Sequence, residues 1–330
     1  MAIFQTGSVS SVPNLLDTIV QFAVANGFTS NYNAIEGTGR RAHLQLGTDV
    51  FVNLRALVNE YAQASSNFGS LASGLVLNAS TGYSAAQSWF NQPGAPNDGQ
   101  TTPSYKMVGM TGISGGAPNY YLYARGAMIY CWLEYSAGNY QWIIFGRVSK
   151  FSNFTGGAFF TGSNEGHQTN ANSYPYTNVA GQSPAGMADL NGNPNAYLYA
   201  SVDGAAAAWL PASNQLMSVP AAKCFDSLTR EAVTVANLAN TFNGNAVLDP
   251  IELCVTRDGA TASWTPASNF SIEAFFPDLY FCNLRYLVPA QQIDDGSGPI
   301  FRVFPFLAKN NTGVAGNGSS GWHGVAIREN

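Results

Sequence analysis

Charge is what this chain has least of. Only 10% of its 330 residues are Asp, Glu, Lys or Arg, against roughly 25% in an ordinary soluble domain. Lysine occurs four times and the formal net charge is −5. A nucleic-acid surface needs clustered Lys and Arg, and the one adjacent basic pair is Arg40-Arg41. That pair reads as one ion pair and one surface charge, so nucleic acid is not expected as a partner. Long apolar runs are also missing: no window approaches the roughly 20 apolar residues that span a membrane. The opening MAIFQTGSVSSV has neither the basic stretch nor the continuous apolar run of a secretory signal. The chain is therefore expected to fold where it is made.

Catalytic and metal-binding patterns are equally scarce. The four cysteines, Cys131, Cys224, Cys254 and Cys282, form no C-x-x-C pair, so neither zinc nor redox chemistry is indicated. Three of them lie in strand-like runs (IYCWL, ELCV, YFCN), where a free cysteine behaves as a small buried hydrophobe. All four cysteines are expected to be reduced and mostly buried. The three histidines, His43, His167 and His323, are too dispersed for a paired metal motif. Glu165-Gly166-His167 offers two ligands where a catalytic zinc needs three. Asp189-Leu190-Asn191-Gly192-Asn193 has its glycine fourth, and Ala200 stands where a calcium loop places its glutamate. Gly112-Ile113-Ser114-Gly115-Gly116 fits G-x-S-x-G, but Pro118 and the strand-like YYLYAR follow it instead of a helix. Asp294-Asp295-Gly296 reads as a turn. A carboxylate pair meeting in space is not excluded by sequence, but no catalytic residue, metal ligand or cofactor site is expected.

What fills the deficit is Gly (34 residues) and neutral polar side chains, with aromatics at 13% and apolar residues at 46%. Disordered chains are poor in aromatics and rich in charge, so a packed core is expected. A surface of neutral polar groups opposes association only weakly, because net charge is what keeps neighbours apart. The composition therefore points to a subunit with an interaction-heavy surface, a composition that a secreted β protein also shares.

Periodicity gives two helices, near 11–26 and 227–243. In the first, Leu15, Ile19, Phe22 and Ala23 recur at helical spacing. Ser11 is placed to cap it, Pro13 suits its first turn, and Gly27 is placed to end it. In the second, Leu228, Ala232, Val235, Ala239 and Phe242 form one stripe, closed by Gly244. Most of the rest alternates like strand. DVFVNLRALVN puts Val50, Val52, Leu54, Ala56 and Val58 on one face. MIYCWLEY and YQWIIFGRV are joined by the hairpin loop Ser136-Ala137-Gly138-Asn139, and Asp258-Gly259 marks another hairpin. No βαβ alternation appears. The expected fold is mainly β, with antiparallel sandwich-like sheets and two short-to-medium helices. It forms one large unit, or two packed lobes (1–162 and 197–330) joined by a polar loop, 163–196.

That loop is rich in Asn, Gly, Ser and Pro, with too little apolar surface to order itself. A neighbouring subunit is the expected source of its missing contacts, anchored at Tyr174, Tyr176 and Met187, which carry the most buriable area. Trp322 and His323 form a further aromatic cluster suited to a protein interface or to sugar stacking.

The segment QWIIFGRVSKFSNFTGGAFFTGSN resembles a pattern common in virion proteins of tailed bacteriophages. In that pattern a strand ends in Phe-Gly, and a short polar turn leads to a strand containing Gly-Gly. The opening helix ending Asn-Gly-Phe and the final GWHGVAIREN are similar to the start and finish of such proteins. The resemblance covers a minor part of the chain and carries over no site residue, because the pattern describes scaffold. It implies a structural subunit of the virion in the tail, baseplate or neck, assembled in the host bacterial cytoplasm. Its expected partners are other virion proteins and copies of itself. The alternative is a host-recognition module whose aromatic loops bind a surface glycan. A polysaccharide-degrading tail enzyme fits less well, since no repeat of 20 to 50 residues marks a solenoid.

Overall fold

The computed structural model describes residues 3–60, 72–96, 108–111, 118–151, 153–165, 196–201, 206–211, 213–214, 246, 248–256, 270–294, 296, 298–306, 308–309, 315–316, 319–320 and 322–330. In these, strand accounts for 61% and helix for 7%, so the expectation of a mainly β fold holds. Strand β1 (Phe4–Ser8) leads into helix α1 (Val12–Ala25). There follow β2 (Thr29–Glu36), β3 (Gly39–Leu46), β4 (Val50–Glu60), β5 (Ala72–Ser80) and β6 (Val108–Thr111). Next come β7 (Asn119–Arg125), β8 (Ala127–Ser136), β9 (Asn139–Arg147), β10 (Ser149–Lys150), β11 (Gly156–Gly162) and β12 (Asn164–Glu165). Beyond them lie β13 (Ala196–Ala200), β14 (Ala208–Pro211), β15 (Ser213–Asn214), β16 (Leu248–Thr256) and β17 (Phe270–Asn283). The chain closes with β18 (Gln292–Ile293), β19 (Phe301–Pro305), β20 (Ala315–Gly316), β21 (Ser319–Ser320) and β22 (His323–Arg328).

These strands make three large sheets, antiparallel throughout. The first sheet runs β1-β7-β8-β9-β11-β13-β14, the second β12-β6-β5-β4-β3-β2, and the third β15-β16-β17-β22-β19-β18 with β10 on β17. Strands β11 and β13, which flank residues 163–196, are neighbours in the first sheet.

The first sheet lies between the other two, and its residue types say why. A strand covered on both faces must be apolar at every position, and β8 and β9 are buried almost end to end. Their alternate residues separate by chemistry. Ile129, Cys131, Leu133, Ile143 and Phe145 join α1 and the inner faces of β3, β4 and β5 in one core. Tyr130, Trp132, Tyr140, Trp142 and Ile144 join Phe276, Phe281, Phe304, Phe306 and Val325 of the third sheet and its flank in another. The first interface is largely aliphatic and the second largely aromatic. Phe304 is the hub of the second, with its ring centroid 5.2 Å from that of Trp132 and 5.0 Å from that of Tyr121. Two polar groups of the aromatic layer bond across the interface. Trp142 Nε1 donates to Phe306 O at 3.2 Å, and the Tyr130 hydroxyl donates to Pro277 O at 3.0 Å.

Helix α1 forms as its sequence implies. Ser11 is the N-cap and its hydroxyl accepts from Asn14 N at 3.3 Å. At the other end Gly27 (φ +99°) follows the C-cap Asn26. Phe28 N then bonds back to Ala23 O and Gly27 N to Val24 O, which satisfies carbonyls the last turn would orphan. Leu15, Leu16, Ile19 and Ala23 are fully buried. The helix expected at 227–243 and the Asp258-Gly259 hairpin lie outside the described residues. So does Gly112–Gly116. The Asp294 turn does form, with Gly296 N donating to Asp294 Oδ1 at 2.7 Å.

Candidate functional site

Polar side chains inside the described part concentrate on the outer face of the second sheet. Cross-strand register places His43 opposite Asn53, and Asn53 opposite Asn78. The three side chains are almost wholly buried, as is Ser80. Arginine can only donate, so the bond from Arg41 Nε to His43 Nε2 (2.8 Å) makes that nitrogen the acceptor. The proton therefore sits on Nδ1, which donates to Asn53 Oδ1 at 2.7 Å. Asn53 Nδ2 then donates to Asn78 Oδ1 (3.0 Å) and Ser80 Oγ (3.1 Å). Asn78 Nδ2 donates to Phe90 O, and Ser80 Oγ to Gly82 O. The chain of donors runs one way, from Arg41 to carbonyls of the loop at 81–96. The amide of Gln92 ties the same loop together by accepting from Ser84 N and donating to Ser84 O and Ser88 O. Burial, the larger cause, and Arg41 pull the His43 pKa down to about 4 against the opposing Asn53 bond and Glu36. The ring is neutral, with both nitrogens engaged. This constellation is scaffold: it clips a loop to a sheet and leaves no free base.

Among the described residues, ion pairing uses seven of the eight arginines. Arg40 meets Asp17 (3.0 Å), Arg41 meets Glu36 (3.2 Å), and Arg55 meets Glu36 and Glu60 (3.2 and 2.6 Å). Arg125 and Arg328 share Asp278, both at 3.8 Å. Arg147 pairs with Asp49, and Arg302 with Glu329 at 2.6 Å. Among the described residues Arg285 is the arginine left without a carboxylate.

Arg285 begins the connection from β17 to β18. The turn there is built from within. Leu287 N bonds to Leu284 O and Gln291 N to Val288 O, closing two successive tight turns. Lys309 Nζ donates to Arg285 O and Leu287 O. Leu284 and Leu287 are buried in a satellite cluster with Cys282, Val303 and Ala326. With Leu287 facing in, its neighbours face out: Tyr286 is 63% exposed and Val288 65%, the highest values among the described large apolar side chains. The Arg285 guanidinium lies 5.2 Å from the Tyr286 ring centroid and 4.6 Å from that of Trp322. Trp322 is fixed in turn by Leu284 N, which bonds to its carbonyl at 2.7 Å. The result is a hydrogen-bonded turn presenting a cation over two aromatic rings and an exposed valine.

Of the residues singled out by sequence, Trp322 stands in this turn's wall. His323 heads β22, paired through its backbone register with Asn283. Tyr174, Tyr176 and Met187 lie outside the described residues. Sequence reasoning missed Arg285, Tyr286 and Val288, because DLYFCNL runs into them with no change of pattern. The usable signal is apolar Leu287 and Val288 beside Arg and Pro at the end of a strand. Among the described residues no group of three His, Cys, Asp or Glu side chains could hold a metal ion, and no helix is long and apolar enough to cross a membrane. The sequence matches no family model, and no curated protein is similar to it.

Proposed function

We propose that this chain is a non-enzymatic structural subunit of a tailed-bacteriophage virion. In this reading it belongs to the tail or baseplate and holds neighbouring subunits together. The observation that carries the proposal is the ordered turn at Arg285, Tyr286, Val288 and Trp322. Tyr, Trp and Arg are the residues that concentrate binding energy at protein interfaces, and here they stand on a rigid three-layer scaffold. The scarcity of charge supports it, because copies packed side by side repel little. The resemblance of the β9–β11 segment to virion proteins supplies the context. Imaging of purified particles with this subunit labelled is the test. Label at fixed positions on the tail or baseplate is expected, and particles that lack the chain would overturn the reading.

A second reading, a host-recognition module binding a surface glycan, draws on the same exposed rings, since sugars stack on Tyr and Trp. Tyr286→Ser separates the two. Particles that assemble normally but no longer adsorb to the host favour the glycan module, and particles that lack the subunit favour the structural one.

A further inference from the structure

We infer that the turn at Arg285, Tyr286, Val288 and Trp322 is a self-association surface whose occupant is a second copy of this chain, presenting a carboxylate to Arg285. The inference rests on the structural reading above and names its partner and its surface.

Charge complementarity is the first argument. Every other described arginine is matched with an acid of its own chain, and the Arg285 guanidinium makes no hydrogen bond within the described residues. With its charge set over the Tyr286 and Trp322 rings, the guanidinium keeps its N–H donors for an acceptor. A carboxylate matches those donors with two parallel bonds. The chain has 19 acids against 14 bases, so a second copy brings carboxylates in surplus. One described carboxylate that forms no ion pair belongs to a hairpin linked to this turn. Glu134 accepts from Asn119 Nδ2 and Gly138 N at the β8–β9 hairpin. That hairpin is placed by the bridge of Asn139 to Ala308, next to Lys309, which bonds the Arg285 turn. A two-fold contact requires donor and acceptor on one patch, and Arg285 with Glu134 is the pair that such a contact would use.

Preorganisation is the second argument. Binding is weakened by the cost of ordering side chains at an interface. Here the turn hydrogen bonds, the Lys309 clamp and the stacking of Arg285 have already met much of that cost. Tyr286 and Val288 then supply apolar area that is exposed in the single chain.

The test is sedimentation or light-scattering mass at concentrations up to about 100 μM, where an interface of micromolar Kd is occupied. Wild type, Arg285→Ala and Tyr286→Ser are compared, with circular dichroism and thermal melting as the control for folding. The wild type should self-associate, and both variants should weaken association at least tenfold while melting as the wild type does. A salt titration should weaken the wild type more than Arg285→Ala. A wild-type monomer throughout, or association indifferent to both substitutions, overturns the inference. So does a monomer that binds an acidic oligosaccharide through Arg285. If particles contain the chain while Arg285→Ala protein associates normally, this inference fails and the virion reading stands. If association depends on Arg285 but particles lack the chain, the virion reading fails and the surface stands.

Discussion

The imidazole of His43 accepts from Arg41 and donates to Asn53, so only the neutral ring suits both neighbours. Protonation would set an Nε2–H against the Arg41 N–H. Because the folded pKa is lowered from 6.5 to about 4, the unfolded chain takes up the proton first as the medium acidifies. Stability should be unaffected by this group above pH 6.5, fall between pH 6.5 and about 4, and level off below. The full loss is on the order of 3 kcal/mol. Urea denaturation at a series of pH values, with His43→Gln as reference, checks it: the wild type should show the step and the variant should not. The thiols give a second test at this scale. Burial pushes the Cys282 thiol up to about 12 and raises that of Cys131 as well. Neither Cys131 nor Cys282 should be labelled by a thiol reagent in native buffer, and both should react in denaturant, read by peptide mass mapping.

Helix α1 and strand β9 both depend on a glycine, for different reasons. Gly27 has φ +99° and nothing within 4 Å of where a Cβ would stand. Gly27→Ala should therefore cost only the backbone strain, about 1–2 kcal/mol, seen as a modestly lowered melting temperature. Gly146 has φ +139°, and its Cβ would come 2.2 Å from Ala127 O. Gly146→Ala should disrupt the central sheet and leave little soluble protein on expression. The first of these glycines is legible from sequence, because a capping signal is local: Ser11, Pro13 and Gly27 all lie within one turn of the helix they bound. The second is not. Phe145-Gly146 reads as a pattern in the chain, but the carbonyl that forbids a side chain belongs to β8 and is known only from register.

Across the whole molecule, the aromatic layer between the first and third sheets carries the largest single stake. Phe304 is fully buried among Tyr121, Tyr123, Trp132 and Tyr140. Phe304→Ala should destabilise by about 3–5 kcal/mol, whereas Tyr286→Ser on the exposed turn should change stability by no more than about 0.5 kcal/mol. Chemical denaturation of both variants checks the contrast. Of the candidate site, Trp322 alone was reached from sequence and is also described in place; its partner Arg285 comes from the turn that follows β17, 37 residues earlier in the chain.

Helix α1 and strands such as β4, β8 and β9 are legible in the sequence. Alternation marks strands because side chains leave a strand on opposite faces, and a 3.6-residue stripe marks α1 because that is the period of a helix. The sequence also showed that β8 and β9 are strongly apolar. Only the tertiary structure decided that this meant a middle layer, with aliphatic residues turned to one neighbour and aromatics to the other. The two chemistries are both apolar, so a polar-versus-apolar pattern cannot tell them apart. Ion pairing was decided at the same level. Which arginine lacks an acid depends on which strands lie side by side, and that is a property of the packed sheets rather than of any stretch of chain.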